Sequence, residues 1–143
     1  MIRFINENKD SRLSTLDSRL VERWIRAVAA GYGFTTGDIT YILCDDEKIL
    51  AVNRQFLGHD YYTDVITFDY SSKTRISGDI YISLDTVQSN AEQVGATFEQ
   101  ELYRILIHGV LHLTGQEDKT PERRAEMTAK EEKALALLNS LNR

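Results

Sequence analysis

The segment from Phe98 to Leu113 constrains the fold more than any other part of the chain. Its spacing predicts one helix that is apolar on nearly all sides, through Leu102, Ile105, Leu106, Ile107, Val110 and Leu111. A helix without a continuous polar face is stable only when other elements cover it. We therefore expect this helix at the centre of the molecule, with the rest of the chain packed around it.

The other segments predict strands and helices in one α+β domain. Enrichment in β-branched and aromatic residues predicts strands near Phe4–Ile5 and over Asp38–Cys44, Asp64–Phe68 and Asp79–Leu84. Apolar spacing and capping residues predict helices over Ser14–Ala30, after Asp45 or Asp46, over Asp85–Val94 and from Thr120 onward. Ser14 or Thr15 is expected to cap the first of these helices, and Pro121 to begin the last. A length of 143 residues fits a single domain, which we place at residues 1–143.

Charge and cysteine content exclude several classes of protein. The net charge is −5, from 17 basic and 22 acidic residues, so bulk positive charge cannot hold a nucleic acid and any RNA contact needs a local patch. Cys44 is the only cysteine, which excludes an internal disulfide and a cysteine-built zinc finger; we expect it to be buried and reduced. No signal peptide and no apolar run of about 20 residues is recognisable. We expect a soluble, cytoplasmic protein without a membrane partner.

Two histidines lie within the predicted central helix. His108 and His112 are four residues apart, which places both imidazoles on one helical face, where they can share a metal ion. Gly115 can end the helix and reverse the chain, and Asp118 then follows at the position of a third ligand, as in metzincins. Glu117 and His59 are alternative third ligands. Three protein ligands would leave a fourth position open, the arrangement of catalytic zinc.

The residue after the first histidine argues against a peptidase. Zinc peptidases of this type place a glutamate there as the general base, whereas this chain has Gly109. Without that carboxylate, no side chain beside the metal is expected to take a proton from water. Phosphoryl transfer depends more on positioning and charge stabilisation, so it suits the site better.

Four blocks of sequence resemble the YbeY family of bacterial endoribonucleases. The segment His108–Gly115, followed by an acidic pair and by Glu126-Met127, resembles the family motif H-G-x-L-H-L-x-G-x-D-H. Thr63–Phe68 is similar to T-D-V-L-S-F, and Ser77–Ser83 to the strand G-D-I-x-I-S. Val52-Asn53 falls where the family has L-N. The blocks occur in the family's order and span most of the chain.

The resemblance implies a small mixed four-stranded sheet packed against about five helices, and one zinc ion per chain. It also implies cleavage of single-stranded RNA in 16S rRNA 3′-end maturation and ribosome quality control, with ribosomal RNA and ribosome-associated proteins as partners. Two residues depart from the family. Its third histidine falls on Asp118, giving the metal ligands His108, His112 and Asp118, and its arginine falls on Leu57.

Three functions follow as hypotheses. The first is a metal-dependent endoribonuclease, and the second is a metallohydrolase with another substrate. The third is a ribosome-associated factor whose metal ion is structural. Leu57 and Asp118 favour the third, because both replace residues that the family uses at its site.

Overall fold

A computed structural model describes residues 1–58 and 63–142. Its four strands are β1 (Ile2–Asn6), β2 (Thr35–Cys44), β3 (Val65–Asp69) and β4 (Arg75–Ser83). Its five α-helices are α1 (Ser18–Gly31), α2 (Asp46–Val52), α3 (Leu84–Val94), α4 (Phe98–Leu113) and α5 (Pro121–Leu141). A short 3-10 turn (Ser11–Leu13) precedes α1, and a π-helical turn (Asn53–Leu57) follows α2. None of these helices is long and apolar enough to cross a membrane.

The strands form one mixed sheet in the order β1-β2-β4-β3. The pairs β1–β2 and β2–β4 are parallel, while β3 runs antiparallel to β4 at the edge of the sheet. Parallel neighbours need a crossover connection, and α1 supplies the one between β1 and β2. The α+β fold with a mixed four-stranded sheet and five helices is therefore confirmed.

Helix α4 occupies the centre of the main core, as predicted. It contacts β3 and β4 of the sheet as well as α1, α3 and α5. The buried hydroxyl of Tyr41 on β2 donates to the Leu106 carbonyl oxygen at 2.7 Å. The indole of Trp24 on α1 donates to the Ala134 carbonyl oxygen on α5, also at 2.7 Å. Both polar groups are thus satisfied inside an apolar core.

A smaller apolar cluster covers the other face of the sheet. Cys44, Ile49, Val52 and Ile66 form it, between α2 and the ends of β2 and β3. Burial raises the pKa of the Cys44 thiol to about 12, so the thiol stays protonated and unreactive near neutral pH. The prediction of a buried thiol is confirmed.

Several element boundaries differ from the sequence prediction; strand β2, for example, begins at Thr35 rather than at Asp38. Helix α1 begins at Ser18 rather than after Ser14 or Thr15, because the Asp17 side chain caps it by accepting from the backbone N–H of Leu20. Strand β4 begins at Arg75, so Ser77 and Gly78 lie within the strand and not before it. A Cβ atom at position 78 would collide with the Phe68 carbonyl oxygen of β3, so glycine permits the close approach of these two strands.

Candidate metal centre

The last two turns of α4 position the paired histidines. His108 and His112 lie on one face of the helix, with ring centroids 4.6 Å apart and planes nearly perpendicular. The first is 14% exposed and the second 27% exposed, so both rings reach the surface from a largely buried helix. Gly115 adopts the left-handed conformation just beyond the helix, with φ of 98°, and so lets the chain reverse.

The reversed chain brings Asp118 against both rings. Its Oδ2 atom lies 3.3 Å from Nε2 of His108 and 3.4 Å from Nε2 of His112. The three candidate ligand atoms all lie within 4.8 Å of one another. Within the part of the chain that is described, this group is the cluster able to hold a metal ion.

The other nitrogen of each ring already has a partner. Nδ1 of His108 lies 2.6 Å from Oε2 of Glu131, and Nδ1 of His112 lies 2.9 Å from the Gln116 carbonyl oxygen. These acceptors favour a proton on each Nδ1, which leaves the lone pair of each Nε2 directed at Asp118. The chemistry of this donor set therefore fits a divalent metal.

The distances from Asp118 to the two rings are compatible with a shared metal ion. Its Oδ2 atom has Nε2 separations of 3.3 and 3.4 Å. A tetrahedral ion with bonds of about 2.0–2.1 Å separates its ligand atoms by roughly 3.3–3.4 Å. The two edges that meet at Asp118 match this spacing.

The protonation state of His112 also suits ligation. Burial, and then the neighbouring charge of His108, lower the pKa of His112 below its usual value of 6.5. The imidazole is therefore neutral near pH 7, as a metal ligand must be.

A cleft of about 400 Å³ opens beside the three side chains. It is lined by His112, Asp118 and Lys119 and by residues of β3 and the π-helical turn. Leu57, which is 43% exposed, is one of these lining residues, so the departure from the family arginine falls within the cleft. Thr67 also lines the cleft, and its buried hydroxyl has no hydrogen-bond partner among the described residues.

The structure explains the glycine between the histidines. A Cβ atom at Gly109 would point into the sheet and lie 2.9 Å from Cγ2 of Ile80. A side chain at this position has no room where α4 packs on β4. Glycine, and not glutamate, follows the first histidine because the helix packs closely on the sheet at this position.

Of the two alternative third ligands, Glu117 is exposed and lies outside the three-residue group. His59 lies outside the described residues.

Comparison with known proteins identifies the family of this chain. The model of the family described as Endoribonuclease YbeY matches residues 3–139. The chain belongs to the YbeY family. A YbeY relative from Parabacteroides distasonis is 55% identical over 130 residues, covering 91% of this chain and 92% of its own. Another from Phocaeicola vulgatus is 60% identical over 116 residues, covering 81% and 84%. Both are named Endoribonuclease YbeY.

A solved structure supports the same assignment. The solution structure of a Thermotoga maritima protein aligns with a TM-score of 0.66 and 30% sequence identity. The alignment covers 98% of this chain and 93% of that protein. The YbeY-like α+β fold therefore extends over almost the whole chain.

Sequence analysis did not identify Glu131 or Gln116 as part of this site. Glu131 lies between Met127 and Ala134 on the buried stripe of α5 and is only 4% exposed. A carboxylate at helical spacing within an apolar stripe is a signal that can be found in the sequence. Gln116 contributes its backbone carbonyl, which no sequence pattern reveals.

Proposed function

We propose that this chain is a metal-dependent endoribonuclease that cleaves single-stranded RNA at an ion held by His108, His112 and Asp118. The observation that supports it most is the convergence of three ligand atoms at the edge of an open cleft. The relatives named Endoribonuclease YbeY supply the substrate class. Two imidazoles and one carboxylate are ordinary zinc ligands, so we propose one zinc ion per chain.

The same proposal includes the biological setting. The domain comprises residues 1–143 and acts in the cytoplasm on ribosomal RNA, in 16S rRNA 3′-end maturation and ribosome quality control. Ribosomes or ribosome-associated proteins are its partners.

The chain's own residues have separable roles in this mechanism. When bound, the ion supplies Lewis-acid stabilisation of the charge that develops on a phosphoryl group. Thr67 also lines the cleft, but its hydroxyl is buried, so this residue shapes the cleft and does not contact the RNA. Lys119 places an exposed cation at the cleft, where it attracts the phosphodiester backbone. This cation provides a local contact for RNA on an acidic protein.

The main alternative is a ribosome-associated factor with a structural metal ion. Leu57 favours it, because an exposed apolar side chain stands in the cleft wall where the family resemblance implies a cation. This alternative predicts that the metal ion is retained but that no RNA bond is cut.

An RNA cleavage assay distinguishes the two functions. The substrates are an unstructured RNA oligonucleotide, its duplex with a complementary RNA, and a DNA strand of the same sequence. We expect the wild-type protein to cut only the single-stranded RNA and His112→Ala to fall to the background rate. Glu132→Gln, an exposed site on α5, is the matched control and should cut normally. Wild-type protein that holds a metal ion but leaves all three substrates intact would reject the nuclease function.

A further inference from the structure

A line of charged side chains runs behind His108, on the side away from the cleft. Glu101 and Arg104 on α4 and Glu131 on α5 form it, and both carboxylates are 4% exposed. Buried carboxylates are stable only when hydrogen bonds and opposite charges surround them. The partners of Glu131 therefore indicate why it is retained in the core.

Arg104 holds the two carboxylates unequally. It donates to Oε1 of Glu101 through Nε at 2.8 Å and to the other Glu101 oxygen through Nη2. Its contact with Glu131 is longer, from Nη1 to Oε1 at 3.3 Å. The guanidinium group thus pairs chiefly with Glu101 and fixes the orientation of Glu131.

The second oxygen of Glu131 is directed at the metal centre. Its Oε2 lies 2.6 Å from Nδ1 of His108, the shortest of the contacts made by either histidine ring. His112 differs, because its Nδ1 bonds to a neutral backbone carbonyl. Only one of the two histidines therefore has a charged acceptor behind it.

The net charge around the histidines also favours a metal ion. When the imidazoles are neutral, three carboxylates face one guanidinium group, in Asp118, Glu131, Glu101 and Arg104. The excess of two negative charges is the amount that a divalent cation cancels. The line of residues is thus complementary to a metal ion at the Nε2 atoms.

We propose that Glu131 is a positioning residue for the metal centre: it holds His108 in the Nδ1-protonated tautomer and makes its Nε2 a stronger ligand. The proposal rests on the metal site proposed above. A carboxylate behind a ligating histidine fixes the ring and raises its basicity, and loss of such a partner typically weakens metal affinity about 10–100-fold.

Zinc affinity of the purified full chain, measured by competition with a chromogenic chelator, tests this role. We expect Glu131→Gln, which keeps the size of the side chain but removes its charge, to weaken zinc binding about 10–100-fold. Glu101→Gln is the matched control, since it removes an equally buried carboxylate from Arg104 without contacting a histidine. It should lower stability but leave the zinc affinity within about twofold of the wild type. Equal affinities for the two variants would overturn the proposal.

A nitrogen NMR measurement on metal-free wild-type protein tests the same role independently. At pH 8 we expect the ring of His108 to carry its proton on Nδ1. In Glu131→Gln, we expect a mixture of tautomers at His108 and no change at His112, whose partner is a backbone carbonyl. A proton on Nε2 of His108 in the wild type would reject the role of Glu131, even if the variant failed to fold. Wild-type protein that shows the Nδ1 tautomer but binds no zinc would instead reject the metal site, and the role of Glu131 with it.

Discussion

Replacing Gly109 by alanine tests how closely the histidine-bearing helix must approach the sheet. A Cβ atom at this position would lie 2.9 Å from Cγ2 and 3.0 Å from Cδ1 of Ile80, which is fully buried on β4. Carbon atoms in contact normally stay about 3.5–4.0 Å apart. The helix and the strand must therefore separate by roughly 0.5–1 Å, or Ile80 must leave its rotamer.

The expected effect is a balance of two terms. Overpacking a buried site costs about 1–3 kcal/mol, whereas alanine in place of glycine within a helix returns about 1 kcal/mol. We expect Gly109→Ala to lower the free energy of unfolding, measured by urea denaturation, by up to about 2 kcal/mol. The zinc affinity should also fall, because the flanking histidines move with the helix.

Two further variants separate crowding from helix propensity. Gly31→Ala, at the end of α1, has no neighbour within 4 Å of the added atom and should be stabilising by about 0.5 kcal/mol. Ile80→Ala removes the atoms that crowd position 109, so adding Gly109→Ala to this variant should not lower its free energy of unfolding further. The double-mutant cycle should then give a coupling energy of about 1 kcal/mol or more between the two positions. If Gly109→Ala is as stable as the wild type and shows no coupling to Ile80, the close-packing argument is wrong.

Two predictions concern parts of the fold away from the metal centre. Three hydrogen bonds from the Arg12 side chain, the largest effect, and a fourth from its backbone N–H lower the pKa of Asp10 below its usual value of 3.8. Because the folded-state pKa is depressed, this carboxylate stabilises the fold above about pH 4 and ceases to do so as the pH falls through the folded value. Asp10→Asn should therefore lower the free energy of unfolding by about 1–2 kcal/mol at pH 7 and leave it unchanged at pH 2, as measured by urea denaturation at both pH values. A difference from the wild type that is the same at both pH values would contradict the ion pair. Trp24→Phe should lower the free energy of unfolding by about 2–3 kcal/mol in the same assay, because it loses the hydrogen bond to the Ala134 carbonyl and leaves a cavity. A decrease below about 1 kcal/mol would show that neither the hydrogen bond nor the packing of the indole contributes to stability.

Elements with strong local signals are predicted correctly from the sequence. Helix α4 has its predicted bounds, since its continuous apolar surface and the capping box of Thr97 and Gln100 specify the same segment. Helix α5 begins at Pro121 after the Thr120 cap, also as predicted. Gly95 ends α3 in the left-handed conformation. In each case, local propensity and tertiary packing favour the same residue.

Boundaries are wrong where several residues compete for one role. Ser14, Thr15 and Asp17 are all good helix caps, and the preceding 3-10 turn, which Asp10 caps, decides among them. Gly78 predicts a strand end by its propensity, yet it lies inside β4 because β3 approaches closely there. Both errors arise from contacts between segments, which local patterns do not contain.

The candidate site also combines features that local sequence determines with features that depend on contacts between distant segments. The spacing of His108, His112 and Asp118 follows from helix geometry and one glycine reversal, so the sequence suffices to group them. The role proposed for Glu131 depends on α5 packing beside α4, which brings together residues 23 positions apart. Only the folded structure provides that contact.

Metal content tests the central claim most directly. Protein purified without an affinity tag is analysed for metals in the wild type, Asp118→Ala and Asp118→His. We predict about one zinc ion per chain in the wild type, loss of the ion from Asp118→Ala, and its retention in Asp118→His, because an imidazole is also a zinc ligand. A wild-type protein without metal, or equal metal content in the wild type and Asp118→Ala, would contradict a centre built from these two histidines and this aspartate.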